Sequence, residues 1–247
     1  NPMRKAFAEE TLLRNIATPR VGLQTGENDR FVRQWWEVSQ SRTDFHCASR
    51  DEASRSRARW FPFNKGGNYR KYGNQSEVLN WEAGGRELHE FRPRSVIRNP
   101  DTYFLPSLSW SRISSGVPAF RALPPGFIYA DTGPSIFSPN IDFLISYLNS
   151  TTSQAFLTAI APTLHFEVGQ IASLPVRHTV LADAVPHVKH LTETARRDWD
   201  SFETSWEFTS PELTAQTTSQ PLCSQVASLL ERWAARSVEQ QRLEVEN

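Results

Sequence analysis

The sequence predicts a mixed α/β fold: a twisted, largely antiparallel sheet followed by a helical region. Two observations point there, and a third bears on partners. Up to residue 137, short aromatic and branched runs alternate with Gly, Pro and Asn clusters, the grammar of strands and turns. After residue 138, apolar residues recur at helical spacing. Charge divides along the chain as well. Residues 1–125 carry 20 Lys and Arg against 13 Asp and Glu, and residues 126–247 carry 7 against 14. A half with a net charge of +7 suits a polyanion, whereas the −7 half does not. Attraction between the halves, or to a neighbouring domain, is the competing account of that split.

The elements follow in order. Residues 2–18 read as a connector helix, with Phe7, Leu12, Leu13 and Ile16 on one face and Pro19 as its stop. Arg20–Leu23 reads as a short strand, Gln24–Asp29 as a turn, and Phe31–Val38 as a strand around Trp35 and Trp36. Ser39–Arg59 has little apolar content and reads as a mobile or partner-ordered loop carrying Arg42, Arg50, Arg55, Arg57 and Arg59. Trp60–Phe63 is a strand, and Val78–Trp81 is a brief strand or helical turn broken by Ala83-Gly84-Gly85. Arg86–Asn99 reads as loop. Tyr103–Ile113, Phe120–Leu123, Phe127–Ala130 and Ile136-Phe137 read as further strands. Helices are expected over Ile141–Leu148 and Thr151–Ile160. A long one is expected from Thr179 through Trp206 and a last one over Leu222–Trp233, with a polar tail. The expected division is residues 1–19, 20–177 and 178–247.

One stretch organises the basic half. Asn64–Asn74 combines Lys65, Arg70 and Lys71 with Tyr69, Tyr72 and three glycines. Gly66-Gly67 permits positive φ and close approach of backbone to another molecule. The cations supply donors for phosphates, and the tyrosines add flat faces with polar tips. A solvated hairpin turn is the other reading, since Gly-Gly is a common turn signal. In the same way Gln24, Thr25 and Asn28 either meet a phosphate or base edge or cap their own turn.

Composition excludes several classes. The 247 residues are 38% hydrophobic with a mean hydropathy of −0.50, and no apolar run of about 18 residues exists to span a membrane. Cys47 and Cys223, far apart, fit a reducing cytoplasm better than a disulfide framework or a cysteine metal site. His165 has no second His or Cys at ligand spacing. No phosphate loop, Gly-x-Ser-x-Gly, His-Glu-x-x-His or Cys-x-x-Cys occurs, nor the Asn/Asp-Pro-Pro-Tyr/Phe tetrapeptide that holds a flipped base in amino-methyltransferases. No catalytic residue and no metal ligand is assigned. Starting at Asn1, which is not an initiator, the chain reads as an excised piece of something longer.

Four blocks carry a family resemblance. Gly22-Leu23-Gln24-Thr25-Gly26-Glu27-Asn28-Asp29-Arg30-Phe31 with Trp35-Trp36-Glu37-Val38 is the first. Lys65-Gly66-Gly67 with Arg70-Lys71-Tyr72-Gly73-Asn74 is the second, and Trp110–Gly116 the third. Leu148-Asn149-Ser150, Ala161-Pro162-Thr163-Leu164, Val168–Ile171 and Leu174-Pro175-Val176 form the fourth. In this order they resemble the target-recognition region of PglX-type adenine-specific DNA methyltransferases. That family serves BREX phage-defence systems and is related to fused type II restriction-modification enzymes. The second block departs from the family pattern by lacking a Trp before Tyr72.

The resemblance implies a DNA target-recognition domain over residues 20–177, with a methyltransferase domain upstream. S-adenosylmethionine is implied for the parent protein and no cofactor for this piece. Double-stranded DNA is the implied partner, with other defence-complex subunits or phage proteins that imitate DNA as further ones. The implied DNA-binding residues are Gln24, Thr25, Asn28, Arg30, Arg33, Arg42, Arg55, Arg57, Arg59, Lys65, Gly66, Gly67, Tyr69, Arg70, Lys71, Tyr72, Asn74, Ser111, Arg112, Ser114 and Ser115. Relatives that recognise different sites cannot read variable bases with shared blocks. The blocks are therefore expected to fix register on the phosphates, while Ser39–Arg59 and Arg86–Asp101 read bases. A protein-interaction module built on the Trp-rich surface is the alternative, and an enzyme with an unrecognised site is a further one.

Overall fold

The computed structural model describes residues 2–68, 72–177, 185–214 and 221–246. In chain order the first elements are α1 (Pro2–Glu9), β1 (Thr11–Leu12), β2 (Thr18–Arg20), α2 (Asn28–Phe31), β3 (Val32–Gln34) and α3 (Arg50–Arg55). Next come β4 (Trp60–Asn64), β5 (Glu77–Asn80), α4 (Glu82–Glu90), β6 (Ser107–Ser109), β7 (Arg121–Leu123), β8 (Ile128–Tyr129) and β9 (Ser135–Phe137). The chain then continues through α5 (Ile141–Asn149), α6 (Thr151–Ile160), α7 (Val168–Ala172), β10 (Pro175–Val176), α8 (Val185–Asp200) and α9 (Leu222–Glu246). The expected class is found: mixed α/β with mainly antiparallel sheets and a helical C-terminal region.

Two four-stranded sheets carry the architecture, in orders β2-β9-β6-β7 and β3-β5-β4-β8. Every pairing in them is antiparallel except β4 with β8, where Phe63 faces Ile128 and Asn64 faces Tyr129 in parallel register. The first sheet packs under α5, α6 and α7, burying Leu108, Trp110, Phe120, Ile136, Leu144, Leu148 and Ile171. Trp110 satisfies its indole N–H on the Phe166 carbonyl at 2.8 Å, so the large ring is buried without an orphan donor. The second sheet has an aromatic core. Trp81, Tyr103 and Tyr129 form an edge-to-face chain with ring centres 5.4 and 5.5 Å apart, and Phe61 meets Phe104 at 5.6 Å.

Local chemistry sets the helix boundaries. Ser150 ends α5 and caps α6, its side chain accepting the Ser153 N–H at 3.2 Å. Asn149 locks the end of α5 to the start of β7. Its Oδ1 accepts the Phe120 N–H at 3.0 Å and its Nδ2 donates to the Phe120 carbonyl at 2.9 Å. Glu167 and Gln170 form a reciprocal capping box on α7.

Several expectations are corrected. The helix expected over residues 2–18 stops at Glu9, because Thr11-Leu12 pairs with Val176-Pro175 and Leu13 and Ala17 are buried in the first core. Pro19 lies inside β2 rather than ending a helix, and β2 is an edge strand, where a missing N–H costs no ladder bond. The strand expected at Phe31–Val38 is a helical turn, a three-residue strand and a 3-10 turn over Trp35–Glu37. Ser39–Arg59 is ordered: Ser49 caps α3 by accepting the Glu52 N–H at 3.2 Å, and Cys47, Ala53 and Ala58 are buried. Arg86–Glu90 is helical, not loop, following left-handed backbone at Ala83, Gly84 and Gly85. Of the long helix expected over 179–206, residues 178–184 lie outside the described residues, and the helix ends at Asp200. The last helix runs to Glu246, where a polar tail was expected. Among the described residues, no helix is long and apolar enough to cross a membrane.

Candidate nucleic-acid interface

The loop after β4 sits where the two sheets meet. Asn64 ends β4 buried, and its Nδ2 donates to Ser109 Oγ at 2.6 Å and to the Gly133 carbonyl at 2.9 Å. The backbone then turns through positive φ at Gly66 (86°) and Gly67 (138°). Gly67 is clasped by Ser111: its N–H donates to Ser111 Oγ at 3.0 Å, and the same hydroxyl donates to the Gly67 carbonyl at 2.6 Å. Arg121, buried in β7, reaches up with Nη2 to the Gly67 carbonyl (3.4 Å), the Asn68 carbonyl (3.3 Å) and Ser111 Oγ (3.3 Å). Burial lowers its guanidinium to about 10, so it remains charged at neutral pH.

Asn74, at φ 59°, closes the loop by donating to the Asn68 carbonyl at 2.8 Å. Tyr72 is buried, and burial pushes its phenol above the usual range. Gly73 lies against Trp199 of α8. The predicted contacts Tyr69, Arg70 and Lys71 lie outside the described residues. On either side of them the segment is a clasped loop, braced by both sheets and by α8.

Many of the predicted cations have partners within the protein. Lys65 Nζ meets Glu77 Oε1 at 3.1 Å. Arg112 meets Glu167 at 2.9 Å through Nε and Asp131 at 3.5 Å through Nη1. Gln24 donates to the same Asp131 at 2.6 Å, so the first and third sequence blocks converge on one carboxylate. Thr25 is buried and donates to Asn28 Oδ1 at 2.7 Å, which is turn capping.

Arg30 lies over Phe31 and Phe91, 4.9 Å from each ring centre. Arg33 donates to the Asp29 and Val32 carbonyls. Arg42 pairs with Glu82 at 2.6 Å and Arg59 with Glu87 at 3.4 Å. Arg55 donates to the Asp51 carbonyl at 3.0 Å, and Arg57 is exposed. Ser114 Oγ accepts the Gly116 N–H at 3.3 Å, and Ser115 is exposed.

The structure therefore brings together Gln24, Gly66, Gly67, Asn74, Ser111 and Arg112, and leaves Arg42, Arg55, Arg57 and Ser115 outside that group. Sequence reasoning passed over Arg121, Asn64, Asp131 and Glu167. Arg121 had one signal, a charge inside the apolar run Phe120–Leu123. The carboxylates had none, since their partners are distant in sequence.

The stretches expected to read bases also come together, because α3 packs against α4. Behind them the chain after α8 folds back on the domain. Trp206 stacks on Phe45 with centres 4.7 Å apart and lies 5.9 Å from Phe127. Trp35 Nε1 donates to the Thr204 carbonyl at 3.0 Å, and His46 approaches Glu207 at 3.3 Å. Among the described residues, no three His, Cys, Asp or Glu side chains are grouped to hold a metal ion.

The geometry defines a mixed α/β segment with a cross-braced glycine loop at one end of the β4–β5 hairpin and an arginine-bearing helix pair at the other. The adenine-specific methyltransferase PglX of Lacticaseibacillus casei (strain Zhang) is 36% identical over 212 residues, which cover 80% of this chain and 17% of that protein. The adenine-specific methyltransferase BrxX of Escherichia coli O9:H4 (strain HS) is 34% identical over 200 residues, covering 78% of this chain and 16% of that protein. The resemblance to PglX-type adenine-specific methyltransferases drawn from the four blocks is thereby shown, for a segment of those proteins. The chain spans about a sixth of the length of these relatives. No family model matches it.

Proposed function

We propose that this chain is the DNA target-recognition segment of an adenine-specific methyltransferase of a phage-defence system. It holds duplex DNA at a specific site so that a catalytic domain elsewhere in the longer protein, using S-adenosylmethionine, reaches the target adenine. The observation that carries this reading is the alignment of four fifths of the chain with two proteins whose names specify adenine methylation. The +7 charge of residues 1–125 supports it, since phosphate contacts dominate affinity for DNA.

The test is titration of the chain with duplexes across a salt series. Specific recognition gives a preferred sequence and a log–log slope of about −0.9 per neutralised phosphate. A second reading, a protein-interaction module, draws on the exposed Leu222, Leu230 and Trp233 of α9. Salt-insensitive binding to other proteins, with no retention of DNA, selects that reading instead.

A further inference from the structure

Most cations of the shared blocks that the structure describes are held internally, which raises the question of where free positive charge remains. Lys65 and Arg112 are ion-paired, and Arg30, Arg42 and Arg59 face Glu87 or Glu82. A cation that already holds a carboxylate releases fewer counterions on meeting a phosphate, so it contributes less to DNA affinity.

On the α3–α4 face, among the described residues, Arg50, Arg86 and Arg92 have no carboxylate partner, and neither do the adjacent Arg55 and Arg57. Scattered arginines such as Arg4, Arg14 and Arg232 also lack one, but they do not stand beside a cleft between two packed helices. Arg50 stands at the start of α3 and lines an open cleft of about 440 Å³ with Asp51 and Ser54, opposite Trp81, Gly84 and Tyr103. Arg86 and His89 lie one turn apart on α4, both exposed, while Leu88 is buried and Glu87 turns toward Arg59. Burial, then the charges of Arg92 and Arg50, hold the His89 imidazole below the usual range. Three carboxylates share the face without pairing to these arginines, namely Asp51, Glu90 and Asp101, and Glu52 is spent accepting the Ala48 N–H at 2.7 Å.

We infer that the α3–α4 face, through Arg50, Arg86 and Arg92, is the surface that engages duplex DNA, and that Lys65 and Arg112, neutralised within the protein, act as internal braces. This rests on the DNA-recognition reading above. Unpaired arginines on α3, on α4 and just past its end, beside an open cleft, fit the phosphates and base edges of a groove. The shared blocks fix how the two helices are carried.

The experiment uses the full chain with a fluorescent duplex in a salt series. Three proteins are compared: unaltered, Arg50→Ala/Arg86→Ala/Arg92→Ala, and a control that removes equal unpaired charge from exposed sites elsewhere, Arg4→Ala/Arg14→Ala/Arg232→Ala. The face variant is expected to bind at least tenfold more weakly, with a salt slope shallower by about 0.9 per lost phosphate contact. The control is expected to keep most of the affinity. Hydrogen exchange on the unaltered chain with and without duplex is the second measurement, independent of whether any variant folds. Protection is expected over residues 50–57 and 86–92. An unchanged face variant, equal weakening by the control, or protection elsewhere only overturns the inference while leaving DNA recognition standing. An unaltered chain that binds no duplex overturns the DNA-recognition reading itself.

Discussion

Gly73 and Trp199 are in contact at a position that admits no side chain: a Cβ on Gly73 would stand 2.6 Å from the indole. The glycine belongs to the second of the four sequence blocks, and the tryptophan belongs to α8 in the helical C-terminal region. Gly73 also has φ 111°, which disfavours any L side chain. Gly73→Ala is therefore expected to destabilise the protein by roughly 2–4 kcal/mol, combining backbone strain with the clash. Denaturant unfolding measures this, and adding Trp199→Ala is expected to relieve only the steric part.

The Lys65–Glu77 pair is largely shielded from solvent, with side chains 28% and 24% exposed. Lys65→Met is expected to cost about 1–3 kcal/mol by leaving Glu77 without its counter-charge. Swapping the pair, Lys65→Glu with Glu77→Lys, recovers part of that loss. Thermal melts of the two singles and the double give the coupling directly.

Arg121 is expected to be the pin of the Gly67–Asn68 turn. Arg121→Met keeps volume in the sheet but removes the donor to both carbonyls and to Ser111. Limited proteolysis is expected to cut residues 65–74 at least several-fold faster in the variant, with a smaller loss of global stability. An unchanged cleavage rate shows that the turn holds without it.

Alkaline pH weakens the fold in a defined window. Burial raises the Cys47 thiol from 9.0 to about 11 and the Tyr129 phenol from 10.0 to about 12. For each, the folded protein keeps a proton that the unfolded chain releases. Their stabilisation is complete below the unfolded values and is lost as pH rises through 9–11 and 10–12. Each group steepens the decline by at most about 1.4 kcal/mol per pH unit. Cys47→Ala is expected to flatten the fall between pH 9 and 11 in stability measured by denaturant titration.

Trp206 stacks on Phe45, and Trp206→Ala is expected to cost about 2–4 kcal/mol while loosening residues 200–208. Hydrogen exchange there distinguishes a docked strap from a neutral contact. Faster exchange confined to that segment and residues 35–46 is the expected result.

Elements set by local chemistry were legible in the sequence. Ile141–Asn149 and Thr151–Ile160 declare themselves by spacing, and Ser150 supplies a stop and a cap at once. Trp60–Asn64 reads as a strand because it is aromatic and ends at a Gly-Gly turn. Elements set by distant partners were not legible. Thr11 and Leu12 carry a helical spacing that pairing with residues 175 and 176 overrides. Ser39–Arg59 packs through Cys47, Ala53 and Ala58, residues too small to show as an apolar period. The candidate site divides the same way. Its glycines were visible as turn formers, whereas the neutralisation of Lys65 and Arg112 depends on carboxylates 12 and 55 residues away.

The short ladder of Thr11-Leu12 on Val176-Pro175 has a consequence for how such a segment is carried. It closes a ring: everything between those residues begins and ends about 5 Å apart, one strand spacing. The chain beyond that closure also grips the interior of the ring, through Trp199 on Gly73, Trp206 on Phe45 and Thr204 on Trp35. Inner helices and loops that leave those anchors in place can drift in sequence while the flanking chain still meets itself at the same two points.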